Sequence, residues 1–179
     1  MFKDISKAKK IFIEYNGSHF FMDRGGEYKN YKKFRVSKEQ EYEWIKEYQQ
    51  EILLKVKNNK LPVNKLTDLC LTISQYHTLD ITEGLIKIVE EKKELTDTFS
   101  LLLIAESINN LAENLKNKKQ DNQEIIIQLK HYSISLLKWL LEQPITVADT
   151  YFQRTYLGGK LEKQQIIKRI NDDLNLWID

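Results

Sequence analysis

The chain has 179 residues, with 28 Lys and Arg against 26 Asp and Glu, a formal net charge of +2. That length suits one compact domain, and a hydrophobic content of 41% is enough for a core without disulfide or metal staples. Six glycines, two prolines and one cysteine exclude a collagen-like chain, a disulfide scaffold and a four-cysteine zinc site.

In chain order, Ile11–Tyr15 and His19–Met22 are β-branched or aromatic runs flanking Asn16-Gly17. Asn-Gly is favoured where a two-residue turn needs positive φ at both central positions, so the spacing predicts a β-hairpin. Arg24-Gly25-Gly26 closes the second strand, and a third strand is expected near Tyr31–Val36. An isolated hairpin is marginal in water, so residues 1–36 are expected to pack, as a hairpin and a basic aromatic connector, on the helical remainder of the chain.

From Ser37 the period becomes helical. Ser37 with Gln40 three residues later has the form of a capping box, and Ile45, Tyr48, Ile52, Leu53 and Val56 then mark a buried stripe ending at Asn58-Asn59. Pro62 opens a second helix with Leu66, Leu69, Cys70, Ile73 and Tyr76 inside. Asp80 and Glu83 repeat the cap pattern before Ile81, Leu85, Ile88 and Val89.

The clearest stripe comes after Thr96-Asp97: Leu101, Ile104, Ala105, Ile108, Leu111, Ala112 and Leu115 recur at helical intervals, which predicts a central helix. Beyond a polar break at Asn117–Asn122, Ile126, Leu129, Tyr132, Leu136, Leu137 and Leu140 mark a fifth helix stopped by Pro144. A short sixth uses Ala148, Tyr151 and Phe152, with Gly158-Gly159 as its left-handed cap. Leu161, Ile166, Ile167, Ile170, Leu174 and Trp177 carry a seventh to the end. The expected class is mainly α: a multi-helix bundle or short α-α array of about seven helices over 37–179, preceded by the β-hairpin of 1–36, in one structural domain.

Charge and aromatics are skewed to the front. Residues 1–36 carry nine basic and four acidic residues, a net +5, leaving −3 for the rest, and eleven of the aromatics precede residue 49. The longest apolar run, Leu101–Ala105, is far short of the roughly 20 residues a membrane helix needs. The lone Cys70 fits a reducing compartment, so a cytoplasmic protein is expected.

Chemistry is sparsely marked. His77, Asp80 and Glu83 recur every third residue, a metal-ligand spacing only if one helix runs through them, whereas Asp80 is read as a cap. Glu27-Tyr28-Lys29 has the Glu-x-Lys form of metal-dependent nucleases without a second acidic strand to complete it. His19, His77 and His131 sit in separate elements, and neither GxGxxG nor GxxxxGK[ST] occurs. No metal, no cofactor and no catalytic residue is expected.

The leading expectation is a non-enzymatic protein–protein interaction module, a regulator or inhibitor acting by docking. Tyr28, Tyr31, Trp44 and Tyr156 are its expected contact residues, because they fall outside the helical stripes and supply large contact area at small entropic cost. The alternative is a nucleic-acid-binding accessory protein, with Lys29, Lys32, Lys33 and Arg35 on phosphates and the interleaved rings on bases. Self-association stays open under either.

Overall fold

The computed structural model describes residues 5–117 and 122–178. Three short helices come first: α1 (Ile5–Glu14), α2 (His19–Arg24) and α3 (Tyr28–Lys32). The body comprises α4 (Lys38–Lys57), α5 (Leu66–Tyr76), α6 (Thr82–Lys92), α7 (Thr98–Asn117), α8 (Gln123–Leu141), α9 (Asp149–Phe152) and α10 (Lys163–Ile178). The class is mainly α and bundle-like. The expected break at Asn117–Asn122 falls mostly on 118–121, outside the described residues.

The β-hairpin of 1–36 does not form, nor does the third strand near Tyr31–Val36; no strand occurs among the described residues. Asn16 and Gly17 do adopt positive φ, 50° and 73°. Positive φ also terminates an α-helix, where amides past the last turn fold back onto its orphan carbonyls. Here the Gly17 N–H donates to the Phe12 carbonyl at 2.9 Å and the Asn16 N–H to Ile13 at 3.0 Å. Ser18 then caps α2, its Oγ accepting from the Phe21 N–H at 3.3 Å. The dipeptide that predicted a hairpin joins two helices instead.

The later stripes are buried or half-buried as the spacing predicts, except that Phe152 of α9 is 63% exposed. Ser37 caps α4 by accepting from the Gln40 N–H at 3.2 Å, and Asp97 caps α7 through the Ser100 N–H at 3.0 Å. Along α7 every stripe residue from Leu101 to Leu115 is buried, because α5, α8 and α10 all pack on it. Two caps differ. Pro62 precedes a 3-10 turn, Val63–Lys65, rather than the helix itself. Asp80 lies inside another 3-10 turn, Leu79–Ile81, and its carboxylate pairs with Lys46 at 3.7 Å instead of capping α6.

Burial divides into two clusters that share α4. The larger runs from Ile52 and Val56 through α5–α8 to Ile166, Ile170 and Leu174 of α10. The smaller holds Ala8, Phe12, Met22, Tyr31, Trp44 and Ile45. Gln49, fully buried, lies on α4 between these two sets and donates to Thr72 Oγ1 of α5 at 3.1 Å. The α1–α2 turn is fastened to the body as well: the Gly17 carbonyl accepts from Tyr76 Oη at 2.7 Å and Gln75 Nε2 at 3.2 Å, and Tyr48 Oη donates to Asn16 Oδ1 at 2.9 Å. Among the described residues no helix is long and apolar enough to cross a membrane.

Candidate functional site

The N-terminal helices close over the start of α4 around one carboxylate. Glu41 is only 7% exposed, and a buried charge costs on the order of several kcal/mol unless its oxygens are engaged. Tyr31 Oη donates to Glu41 Oε1 at 2.7 Å, and His19 Nε2 lies 2.8 Å from the same oxygen. The Tyr31 ring stacks on Phe12 with centroids 5.7 Å apart, and Trp44 and Tyr76 meet Phe12 at 5.9 and 6.3 Å. Burial, followed by the bond to Glu41, pushes the Tyr31 phenol well above its ordinary range. Burial and the Glu41 charge do the same to Tyr76. Both phenols therefore stay protonated and act as donors, one to Glu41 and one to the Gly17 carbonyl.

An imidazole held by a carboxylate is an arrangement that can orient a base. His19 needs a reacting partner to act so, and the nucleophile candidate is elsewhere: Cys70 is buried in the larger cluster, its thiol pushed up to about 12 by burial, and stays a thiol. His77 is the left-handed C-cap of α5 (φ 58°), Asp80 is in the next 3-10 turn and Glu83 in the first turn of α6, so no single helix face presents the three. Among the described residues no three of His, Cys, Asp and Glu are grouped so as to hold a metal ion. Through Tyr31 and His19, Glu41 joins α3 and α2 to α4.

The expected contact aromatics are divided by the fold. Tyr31 and Trp44 are buried, each 4% exposed, so they anchor the smaller core rather than a partner. Tyr28 is half-buried against His19, with the Lys32 ammonium 4.6 Å from its ring centre. Tyr156 is 70% exposed and its Oη accepts from Arg154 at 3.3 Å. The four basic residues are all exposed, but α3 sorts them by face. Lys33 bonds Asn30 Oδ1 at 3.1 Å, Lys32 lies over Tyr28, Lys29 is on the exposed side, and Arg35 sits beyond the helix at φ 54°.

Sequence reasoning missed Phe20 and Phe21. In a strand, His19 and Phe21 would share one face and Phe20 and Met22 the other. As a helix, α2 instead turns His19 and Met22 inward at i and i+3, leaving Phe20 64% and Phe21 41% exposed. Their rings lie 5.5 Å apart, with the Arg24 guanidinium 5.8 Å from the Phe20 ring centre. Tyr42, beside Glu41 on α4, is exposed too. The signal available in the sequence was the helical i, i+3 spacing of His19 and Met22, in a run too short to weigh against a strand. No protein-family model matches this chain, and neither a curated protein nor a solved structure matches it.

Proposed function

We propose that this protein is a non-enzymatic interaction module that docks on a partner protein through the outer face of α2. The observation that carries the reading is the phenylalanine pair held outward on an immobilised helix. Exposed large rings side by side are unfavourable in water, and on a fixed element they lose little entropy on binding. The α2 helix is fixed at both ends, by the Ser18 cap and by Gly25 and Gly26 amides returning to Phe21 and Asp23, and from beneath by Met22 and His19. Arg24 beside Phe20 and the +5 charge of residues 1–36 favour a partner whose apolar socket has an acidic rim. Occupying that socket is the act by which such a module would regulate or inhibit its partner.

The test is affinity capture from an extract of the native cells, with the full chain and with Phe20→Ser/Phe21→Ser. A protein retained by the parent and lost by the variant, at unchanged melting temperature, supports the reading. Retention of the same proteins by both chains, or of none by the parent, refutes it.

A further inference from the structure

The same N-terminal helices enclose a second feature, which needs neither Phe20 nor Phe21. Between α1 and the end of α3 lies a cleft of about 770 Å³, within the size range of small-ligand sites. One wall comes from α1 and the residue after it: Lys7, Lys10, Ile11 and Tyr15. The other includes Lys33 and Phe34. Three ammonium groups and two aromatic rings thus line a single concavity. The groove of similar volume along α10, lined by Lys160, Lys168 and Arg169, contains no ring.

We infer that this cleft binds a nucleotide unit, its base against Tyr15 and Phe34 and its phosphate among Lys7, Lys10 and Lys33. Stacking is sequence-tolerant because every base has a π-face, and lysine ammonium groups neutralise phosphate as point charges. Tyr15 is held in place: a Cβ on Gly25 would come within 2.4 Å of its Oη and 2.7 Å of a ring carbon, so only the bare Gly25 backbone leaves the phenol its position. Two carboxylates also line the cleft, Glu14 and Glu27. Glu27 is engaged by Asn30 Nδ2 at 3.2 Å, and Asn30 in turn accepts from Lys33 at 3.1 Å, which orients that ammonium. Lys29, Lys32 and Arg35 lie exposed nearby in sequence and add to the positive field without lining the cleft. Free nucleotide and single-stranded nucleic acid present the same chemistry. A duplex does not, because its rings are already stacked and paired.

The experiment is a fluorescence-anisotropy titration of the full chain against three probes: a labelled oligo(U) strand of about 12 nucleotides, a labelled ATP analogue, and a labelled duplex of the same length. Oligo(U) bound more tightly than the duplex identifies a single strand as the source. Binding of the ATP analogue alone identifies a free nucleotide. In either case Lys10→Ala/Lys33→Ala should weaken the bound probe about tenfold or more at low salt. For oligo(U) it should also reduce the slope of log affinity against log salt by roughly 1.4, at about 0.7 per phosphate contact. Tyr15→Leu should weaken binding about fivefold or more without that change of slope. Gly25→Ala, which displaces the Tyr15 ring and leaves every charge in place, should reproduce the Tyr15→Leu result; this keeps the test sound if Tyr15→Leu loses stability. Absence of binding to oligo(U) and to the ATP analogue at low salt overturns the inference. So does duplex binding as tight as single-strand binding, or binding that Lys10→Ala/Lys33→Ala and Gly25→Ala leave unchanged.

Discussion

Replacing Gly17 by Ala tests how the N-terminal helices are fastened to the body. Gly17 has φ +73°, a conformation that costs an L-residue roughly 1–2 kcal/mol. Its new Cβ would lie 2.7 Å from Ile45 Cδ1 and 3.0 Å from the Tyr76 ring and Oη. Tyr76 cannot swing away without losing its 2.7 Å bond to the Gly17 carbonyl, so the crowding adds about 1–3 kcal/mol of overpacking. The sum, about 2–5 kcal/mol, corresponds to a fall in melting temperature of roughly 4–20 °C for a chain of this size. Gly26→Ala is the matched control: φ is +80° and no atom lies within 4 Å of the added Cβ, so only the backbone cost applies. Urea unfolding followed by circular dichroism and tryptophan fluorescence measures both. The difference between the two variants isolates the packing. A second check is Ile45→Val, which deletes the Cδ1 that the new methyl strikes. Alone it should cost roughly 0.5–1.5 kcal/mol, and in the Gly17→Ala chain less, giving a favourable coupling of at least about 0.5 kcal/mol. Equal losses for Gly17→Ala and Gly26→Ala, with no coupling to Ile45, would show that the turn does not rest on α4 and α5 and would refute the reasoning.

Tyr31→Phe removes a donor to the buried Glu41 and should cost about 2 kcal/mol, the usual worth of a hydrogen bond to a charged group; an unchanged urea midpoint would contradict the bond. Gln49 is fully buried with Oε1 unpaired, and Gln49→Met removes that orphan together with the bond to Thr72, so the two effects offset and stability should stay within about 1 kcal/mol of the parent; a loss above about 2 kcal/mol would mean that this oxygen is satisfied. Burial pushes Glu106 up to about 7 from 4.5, opposed by the Arg169 guanidinium that clasps it and reinforced by Asp173. A carboxyl with a raised folded pKa holds its proton more tightly in the folded chain, so its contribution is present below about 4.5 and is lost as pH rises to about 7. The urea midpoint should therefore fall more between pH 5 and pH 8 in the parent chain than in Glu106→Gln; parallel profiles would exclude that assignment.

The basic character of residues 28–35 was legible in the sequence, and all four cations are at the surface. Their grouping was not. Lys33 shares its cleft with Lys7 and Lys10, more than twenty residues earlier, because α1 and α3 lie side by side, and no local spacing encodes that adjacency. Tyr31 fell outside the predicted stripes because its segment was read as a third strand, and Trp44 because the stripe drawn on α4 starts at Ile45 and is narrower than the face covered by the smaller cluster, which takes both Trp44 and Ile45.

By itself the sequence determined the long helices from Ser37 onward, though not the short α9, whose cap and outward Phe152 it did not give. A helix of 11 to 20 residues such as α4, α5, α7 or α8 repeats its apolar stripe over several turns, and only one period fits. Residues 5–36 were decided by tertiary structure. Runs of five to ten residues satisfy a period of 2 nearly as well as 3.6, and positive φ at Asn16-Gly17 serves a hairpin or a helix end alike. What selects helices there is the shared core, in which Ala8, Phe12, Met22 and Tyr31 reach α4 together only from helical faces. That choice also turns Phe20 and Phe21 outward, and the surface proposed for docking exists only because the packing, and not the local pattern, set the period.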